Sequence, residues 1–376
     1  MERYDVVVVG VGGMGSAALY HLARRGKRVL GLERHDLLHE HGSSHGLTRI
    51  IRLAYFEHPD YVPLLRRAYE LWRELEAEAG EQLLHITGIV EGGDRVLDGV
   101  LRSCTEHDLA HEVLGGDEVA RRFPAYRLPT ELEVVHQPDG GYVVPERCIV
   151  AHVEGALARG ALLRARERVL EWEETENGVR IRTERATVDA DRLVLTAGAW
   201  SEGVARLPSG SVRAVRQLLA WLLPTRPELF TPDRMPVFNL ALEGEHFYGF
   251  PSFGIPGVKL GRYERQGESG DPDGISRDPT TSEEAPLRAF AERYLPEGAG
   301  PTVALKTCLF ELSPDEHFLI GRHPESESVV VGAGFSGHGF KFCSVVGEVL
   351  ADLALDGETR HDISLFRLDR FRPAYP

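Results

Sequence analysis

The chain has 376 residues, 42% of them hydrophobic and 27% charged, and its 43 basic and 58 acidic residues leave a formal charge of -15. At roughly 150 residues per domain this is the composition of about two globular domains with sizeable cores, and it excludes disordered and fibrous architectures. The acidic balance repels phosphate backbones and anionic membrane surfaces, so small molecules are the expected partners, with no nucleic acid and no membrane. Only four basic residues are lysines: Lys27, Lys259, Lys306 and Lys341. Cys104, Cys148, Cys308 and Cys343 lie far apart without a CxxC pair, which gives no metal site and no disulfide framework and points to a reducing, cytoplasmic compartment. The N-terminal apolar run leads straight into glycines, so it reads as a strand and not as a signal peptide.

Taken in chain order, residues 6–9 are the continuous apolar run expected of a parallel strand buried on both faces, and residues 10–15 are a glycine turn. Helical spacing follows over 16–25 and stops at Gly26, and 28–32 reads as a second strand. Residues 60–79 form an amphipathic helix whose stripe of Leu64, Leu65, Ala68, Leu71, Trp72 and Leu75 is packing surface. Short β-like runs occur at 85–91, 132–136, 178–183 and 192–196. Prolines 124, 129 and 138 punctuate the loops, and 209–235 is rich in Pro, Gly and Arg. A β-like run over 303–310 places Cys308 and Phe310 on one face. A late apolar strand at 329–332 then enters a second glycine turn and a helix over 340–355. The pattern predicts a sheet assembled from distant parts of the chain, with inserted segments forming a second domain.

Several of these segments carry chemistry. In Gly10-Val11-Gly12-Gly13-Met14-Gly15, Gly10 permits a tight turn, Gly12 lets the backbone approach a pyrophosphate, and Gly15 lets helix and strand pack closely. Glu33, 18 residues after Gly15, stands where a carboxylate accepts from a ribose 2′-OH. Strand, glycines, helix, strand and acid together predict a dinucleotide with an unphosphorylated ribose, and leave FAD and NAD both open. Arg49 and Arg52, three residues apart in the segment 42–55, lie side by side if that segment is helical and suit a carboxylate or an electron-rich ring edge. Taken alone, Cys308 reads as inert packing and Lys259 as a surface lysine. The turn Gly334-Phe335-Ser336-Gly337-His338-Gly339-Phe340-Lys341-Phe342 offers backbone N–H groups and a helix start to developing negative charge, and a lysine between two phenylalanines is poorly explained by solvation.

Together the segments VVVVGVGGMGSAALYHLARRG, GSSHGLTRIIRLAY, ADRLVLTAGAW, FYGFPSFG, CLFELSPDEHFLIGRHP and GAGFSGHGFKF resemble the monomeric sarcosine oxidase family. That family includes N-methyltryptophan oxidase and lies among the FAD-dependent amine oxidases of D-amino-acid-oxidase type. The resemblance implies an α/β fold in which a discontinuous, doubly wound, Rossmann-like FAD-binding domain (1–85, 145–215, 320–376) joins an antiparallel-sheet substrate domain (86–144, 216–319). It selects FAD, joined covalently through an 8α-S-cysteinyl bond to Cys308. The cofactor contacts it implies are Gly10, Val11, Gly12, Gly13, Met14, Glu33, Arg34, Gly42, Ser43, Thr48, Arg49 and Ile50 in the first segment. Val169, Thr196, Ala197, Gly198, Trp200 and Leu309 follow, with Phe335, Gly337, His338, Gly339, Phe340 and Lys341 at the last turn. Arg52 and Lys341 match the pair that grips the substrate carboxylate, Tyr248 a tyrosine lining the substrate side, and Lys259 the oxygen-activating lysine. His45 and Arg49 match residues held against the flavin.

Two departures bear on the substrate. Phe310 stands where the sarcosine enzymes carry tyrosine, and Tyr263 where they carry histidine. The expected activity is oxidation of N-methyl or other secondary α-amino acids with O2, giving amino acid, formaldehyde and hydrogen peroxide, by a cytoplasmic monomer. The alternatives are an N-methyltryptophan or cyclic imino acid (proline or pipecolate) oxidase, and a flavin dehydrogenase that passes electrons to another acceptor.

Overall fold

The computed structural model describes residues 2–371, apart from the side chain of Arg95. The opening segment folds as its pattern requires: strand Glu2–Val9, helix Gly13–Arg24 and strand Val29–Leu32, the two strands parallel. Gly26, at φ 72°, takes the left-handed turn that ends the helix. Five parallel strands run in the order Leu162–Arg164, Val29–Leu32, Glu2–Val9, Thr187–Leu195, Val329–Ala333. Thr187–Leu195 divides its outer edge. Its first half pairs with the hairpin strand Gly178–Thr183, and its last three residues pair with Val329–Ala333. Helices Gly13–Arg24, Tyr61–Ala79, Pro145–Leu157 and Cys343–Leu355 pack together in one apolar core against this sheet. Among the described residues no helix is long and apolar enough to cross a membrane.

The second sheet has nine strands, with one edge formed by Thr302–Leu312 beside Arg213–Leu222 and the other by Glu112–Gly115. It is antiparallel except at one junction, where Ile89–Gly92 and Val237–Leu242 run parallel. Two sequence expectations change here. The run at 85–91 is two strands, because Gly88 turns through φ 74° between them: Leu84–Ile86 joins a three-stranded sheet with Arg49–Ile51 and Gly141–Val143, and Ile89–Gly92 enters the large sheet. Within the Pro-, Gly- and Arg-rich stretch 209–235 lies the ten-residue strand Arg213–Leu222, buried from Ala214 onward. Its polar residues do not interrupt it because their ends find backbone partners: Arg216 donates to the carbonyls of Ser276 and Asp278, and Gln217 to that of Glu264.

Register decides which side chains meet. Glu91 pairs with Asn239, Asn239 with Tyr248, Tyr248 with Gly261, Gly261 with Leu219 and Leu219 with Lys306, one row across six strands. The flanking rows on the same face hold Phe250, Lys259 and Trp221 on one side and His246, Gln217 and Cys308 on the other. The opposite face, with Val90, Leu218, Phe238, Leu240 and Leu260, packs on helix Thr281–Tyr294 through Leu287 and Phe290. The polar face is turned toward residues 45–57 of the first domain, and the candidate functional residues gather there.

Candidate functional site

A cleft of about 540 Å³ opens at the carboxyl ends of the parallel strands, the position where doubly wound sheets bind ligands. Every expected cofactor contact lines it except Thr48, Ile50, Cys308, Leu309, His338 and Lys341. Gly10 and Gly15 pack as their spacing predicts, and Gly12 stands open. Gly10, at φ 86°, presses on the carbonyl of Thr196, and a Cβ on Gly15 would collide with the carbonyl of Gly10. A Cβ on Gly12 would meet nothing nearer than the Ser44 hydroxyl at 3.7 Å, so the backbone there faces open space. Glu33 is buried and accepts from the backbone N–H groups of Val11 (2.8 Å) and His35 (3.0 Å), which fixes its carboxylate at the end of the second strand. Arg34 lies over the Trp200 ring and pairs with Asp273 at the mouth.

Between the two domains the segment 42–57 threads past the polar face of the large sheet. Ser43 donates to the carbonyl of Leu309 (2.6 Å), which docks the loop on the strand carrying Cys308. Lys259 is buried, and its Nζ donates to the carbonyls of Gly46 (2.7 Å) and Thr48 (2.8 Å) and to the Thr48 hydroxyl (3.1 Å), with the rings of Phe250 and Trp221 beside it. Burial pulls the Lys259 pKa well below its usual value, and the Arg49 charge adds to that. Three acceptors nevertheless suit an ammonium, which carries three donors where a neutral amine has two. Glu146 pins the loop by accepting from the N–H groups of Gly46 and Leu47. Cys308 is buried, and burial raises its thiol pKa while Arg49, Lys259 and Arg277 oppose the rise. Lys306 shares the cysteine's face by register, yet its ammonium reaches out to Glu40.

Arg49 and Arg52 are not neighbours on a helix. Arg49–Ile51 is a strand, so the two guanidinium groups diverge. Arg49 donates to the carbonyls of Thr48 and Ser43 at the cleft. Arg52, buried, pairs instead with Glu57 (2.6 Å) and Glu91 (2.9 Å), and its guanidinium carbon lies 4.3 Å from the centre of the Tyr55 ring. Lys341 reaches the same tyrosine: its Nζ lies 3.4 Å from the phenol oxygen and donates to the carbonyl of His338 (2.7 Å). His338 is held neutral by burial, at about pKa 4, and accepts from the Tyr55 hydroxyl at Nδ1 while its Nε2 donates to the Glu316 carbonyl. Tyr248 leans across Gly261, where a side chain would strike its ring. Tyr263 and Phe310 meet beside it, their ring centres 5.2 Å apart and their planes tilted by 49°. Ile50 packs with Tyr142 and Phe250 away from the cleft.

Sequence reasoning missed Tyr55, Glu57, Glu91, Asn239, His246 and Glu146. Glu91 and Asn239 did leave a signal, as polar residues inside the otherwise apolar strands Ile89–Gly92 and Val237–Leu242.

Three features fit FAD: the open backbone at Gly12, the carboxylate of Glu33 beside it, and His45. The His45 ring is buried, burial drives its pKa down to about 3, and neither ring nitrogen has a protein partner among the described residues. A neutral imidazole in that position calls for a ligand with both donors and acceptors. No group of three or more His, Cys, Asp or Glu among the described residues could hold a metal ion.

Known proteins agree with this geometry. A family model described as DAO, FAD dependent oxidoreductase, matches residues 5–353. Monomeric sarcosine oxidase of Streptomyces avermitilis is 41% identical over 371 residues, covering 96% of each chain. N-methyl-L-tryptophan oxidase of Yersinia pestis is 33% identical, covering 98% of this chain and all of the relative. Among solved structures, NikD, described as an unusual amino acid oxidase essential for nikkomycin biosynthesis, superposes with a TM-score of 0.86 at 29% identity, covering 98% of both chains.

The two glycines separate packing from binding. Gly15→Ala should destabilise the apoprotein by about 1–3 kcal/mol. Gly12→Ala should leave apoprotein melting nearly unchanged but weaken FAD retention, as read by melting curves and by flavin remaining after gel filtration. Burial and then Arg52 bring the Lys341 pKa down to about 7, and burial lifts that of Glu91 to about 7. As pH rises through 7 the lysine loses its positive charge and the glutamate gains a negative one, and both changes oppose an anion. Affinity for a carboxylate inhibitor, read by titration of flavin absorbance, should therefore be highest below pH 7 and fall above it. Lys341→Met should flatten most of that dependence.

Proposed function

The chain belongs to the DAO family of FAD-dependent oxidoreductases, and from that premise we propose that it oxidises N-methyl or other secondary α-amino acids. With an N-methyl substrate the overall reaction takes up dioxygen and one water and releases the primary amino acid, formaldehyde and hydrogen peroxide. The observation that carries this reading is the convergence of two buried cations, Arg52 and Lys341, on Tyr55 at the junction of the two domains. Two fixed positive groups at one point suit a carboxylate, and anchoring it sets where the amine and its methyl group lie. FAD, when bound, supplies the two-electron acceptor.

The residues divide the remaining work. Gly12 and the start of helix Gly13–Arg24 receive the pyrophosphate, and Glu33 the adenosine ribose. Cys308 is the proposed site of covalent attachment, supported by the three cations that favour its thiolate. Lys259, with no carboxylate within 4 Å among the described residues, is the fixed positive charge proposed to favour reaction with dioxygen. Tyr248 forms the wall against which the amine is oriented. The adjoining Tyr263 and Phe310 rings favour bulkier or cyclic secondary amino acids over sarcosine.

The reading extends to a cytoplasmic monomer, supported as to compartment by four buried, free cysteines. It carries the domain division given above, with two crossings moved to strand starts, before Arg213 and before Leu319, because Arg213–Leu222 and Leu319–Arg322 run unbroken through them.

Peroxide formation from a panel of N-methyl and cyclic amino acids tests the reading, and a panel that leaves the flavin oxidised overturns it. Cys308→Ser should release all yellow colour into the supernatant on acid precipitation, whereas the parent protein should keep it in the pellet. Lys259→Met should slow flavin reoxidation at least tenfold more than flavin reduction in stopped-flow measurements, on the order of one lost charge contact.

A further inference from the structure

One buried group has no task in the reaction so far. Glu91 is fully buried; its Oε1 accepts from Asn239 Nδ2 (2.9 Å) and lies in ion-pair contact with Arg52 Nε (2.9 Å), whose N–H donates to the Ala54 carbonyl. Its Oε2 has no protein partner among the described residues. Behind it the donors all point one way: His246 Nε2 meets the side-chain oxygen of Asn239 at 2.5 Å, and the Asn239 amide donates onward to Glu91. This chain of polar groups fixes Oε1 as the filled acceptor and leaves Oε2 as the empty one. Burying an acceptor oxygen unsatisfied costs about 1–3 kcal/mol, so once Glu91 is ionised, above about pH 7, the arrangement lacks a donor. Arg52 does not require Glu91 for neutrality, since Glu57 already pairs with it.

Resting on the oxidase reading above, we infer that Glu91, positioned by Asn239 and His246, is a side-chain-reading subsite that takes a secondary α-amino acid with a cationic side chain. Two observations beyond the empty acceptor support it. The first is place. The Tyr248 phenol lies over the strand of Gly261, and Glu91 stands three strands further across the same face, about 14 Å at ~4.8 Å per strand. Glu91 is thus remote from the wall that faces the amine and stands on the carboxylate side of the site, its Oε1 2.9 Å from Arg52. A wall of Phe310, Tyr263, His246 and Phe56 connects the two ends, each ring within 6 Å of the next. The second is charge. Arg52 and Lys341 are balanced by Glu57 and Glu91, so a substrate carboxylate, entering with its amine neutral as oxidation requires, leaves one uncompensated negative charge. A positively charged side chain at Glu91 cancels it and supplies the missing donor.

The test uses the holoenzyme and three probes: sarcosine, Nα-methyl-norleucine and Nα-methyl-lysine, the last two differing chiefly by the terminal amine. Anaerobic flavin reduction should show a second-order rate constant of reduction at least about tenfold higher for the lysine derivative than for the norleucine derivative, the scale of one charge-assisted hydrogen bond. In Glu91→Gln that ratio should fall to near one, and Asn239→Leu should lower it in the same direction. Because both probes are read on one protein sample, partial misfolding does not change the ratio. A parent ratio near one, or a Glu91→Gln variant that loses all three probes equally, overturns the inference while the oxidase reading stands. Failure of all three probes to reduce the flavin overturns the reading itself, and the subsite with it.

Discussion

The row of partners Glu91, Asn239, Tyr248, Gly261, Leu219 and Lys306 is the constraint on which the rest of the site depends. Side chains alternate between faces along a strand, so slipping any of these pairings by one residue would send Lys259, Cys308 and Glu91 into the helix-covered core and bring Leu260 and Leu240 to the ligand side. The register is guarded on both faces. Phe238, Leu240 and Leu260 are buried beneath helix Thr281–Tyr294, and Lys259 is tied by three hydrogen bonds to a loop of the other domain. Gly261 adds a local requirement, since only a residue without a side chain lets Tyr248 lie across its strand.

That constraint explains why lysine is rare yet well placed. Of the four lysines, Lys259 and Lys341 are buried, at 2% and 4% exposure. An ammonium offers a compact charge with three donors that fits among carbonyl oxygens, where a planar guanidinium would need a wider space. Arg52 shows the opposite case, its fork spanning two carboxylates and its guanidinium carbon lying 4.3 Å from the centre of the Tyr55 ring.

The sequence made the nucleotide half of the molecule legible because each of its signals is local. Gly10, Gly12, Gly15 and Glu33 sit within one βαβ unit, and their roles follow from backbone geometry that spacing alone specifies. The amine side was legible only through resemblance, since its residues come from five separate segments brought together by sheet register. Arg49 and Arg52 illustrate the limit: their spacing suits a helix, but the partner strand Gly141–Val143, ninety residues away, makes them extended. Likewise Arg216 and Gln217 look like interruptions until the carbonyls of Ser276, Asp278 and Glu264 are seen to receive them. The acid at Glu91 was visible as an anomaly in an apolar strand, but its meaning required Asn239, Arg52 and the unfilled oxygen together.

In the proposed reading, the charge cluster around Arg52 also ties recognition to assembly of the two domains. Arg52, Tyr55 and Glu57 come from the loop after Arg49–Ile51, Glu91 and Asn239 from the large sheet, and Lys341 from the turn before helix Cys343–Leu355. Each element therefore brings a charge or polar group that is costly to bury until the others arrive, and removing one partner of such a set leaves a buried charge uncompensated. A ligand carrying both a carboxylate and a cation would enter this cluster as a further balanced pair. The forces that hold the domains together and those that select the substrate would then be the same ones.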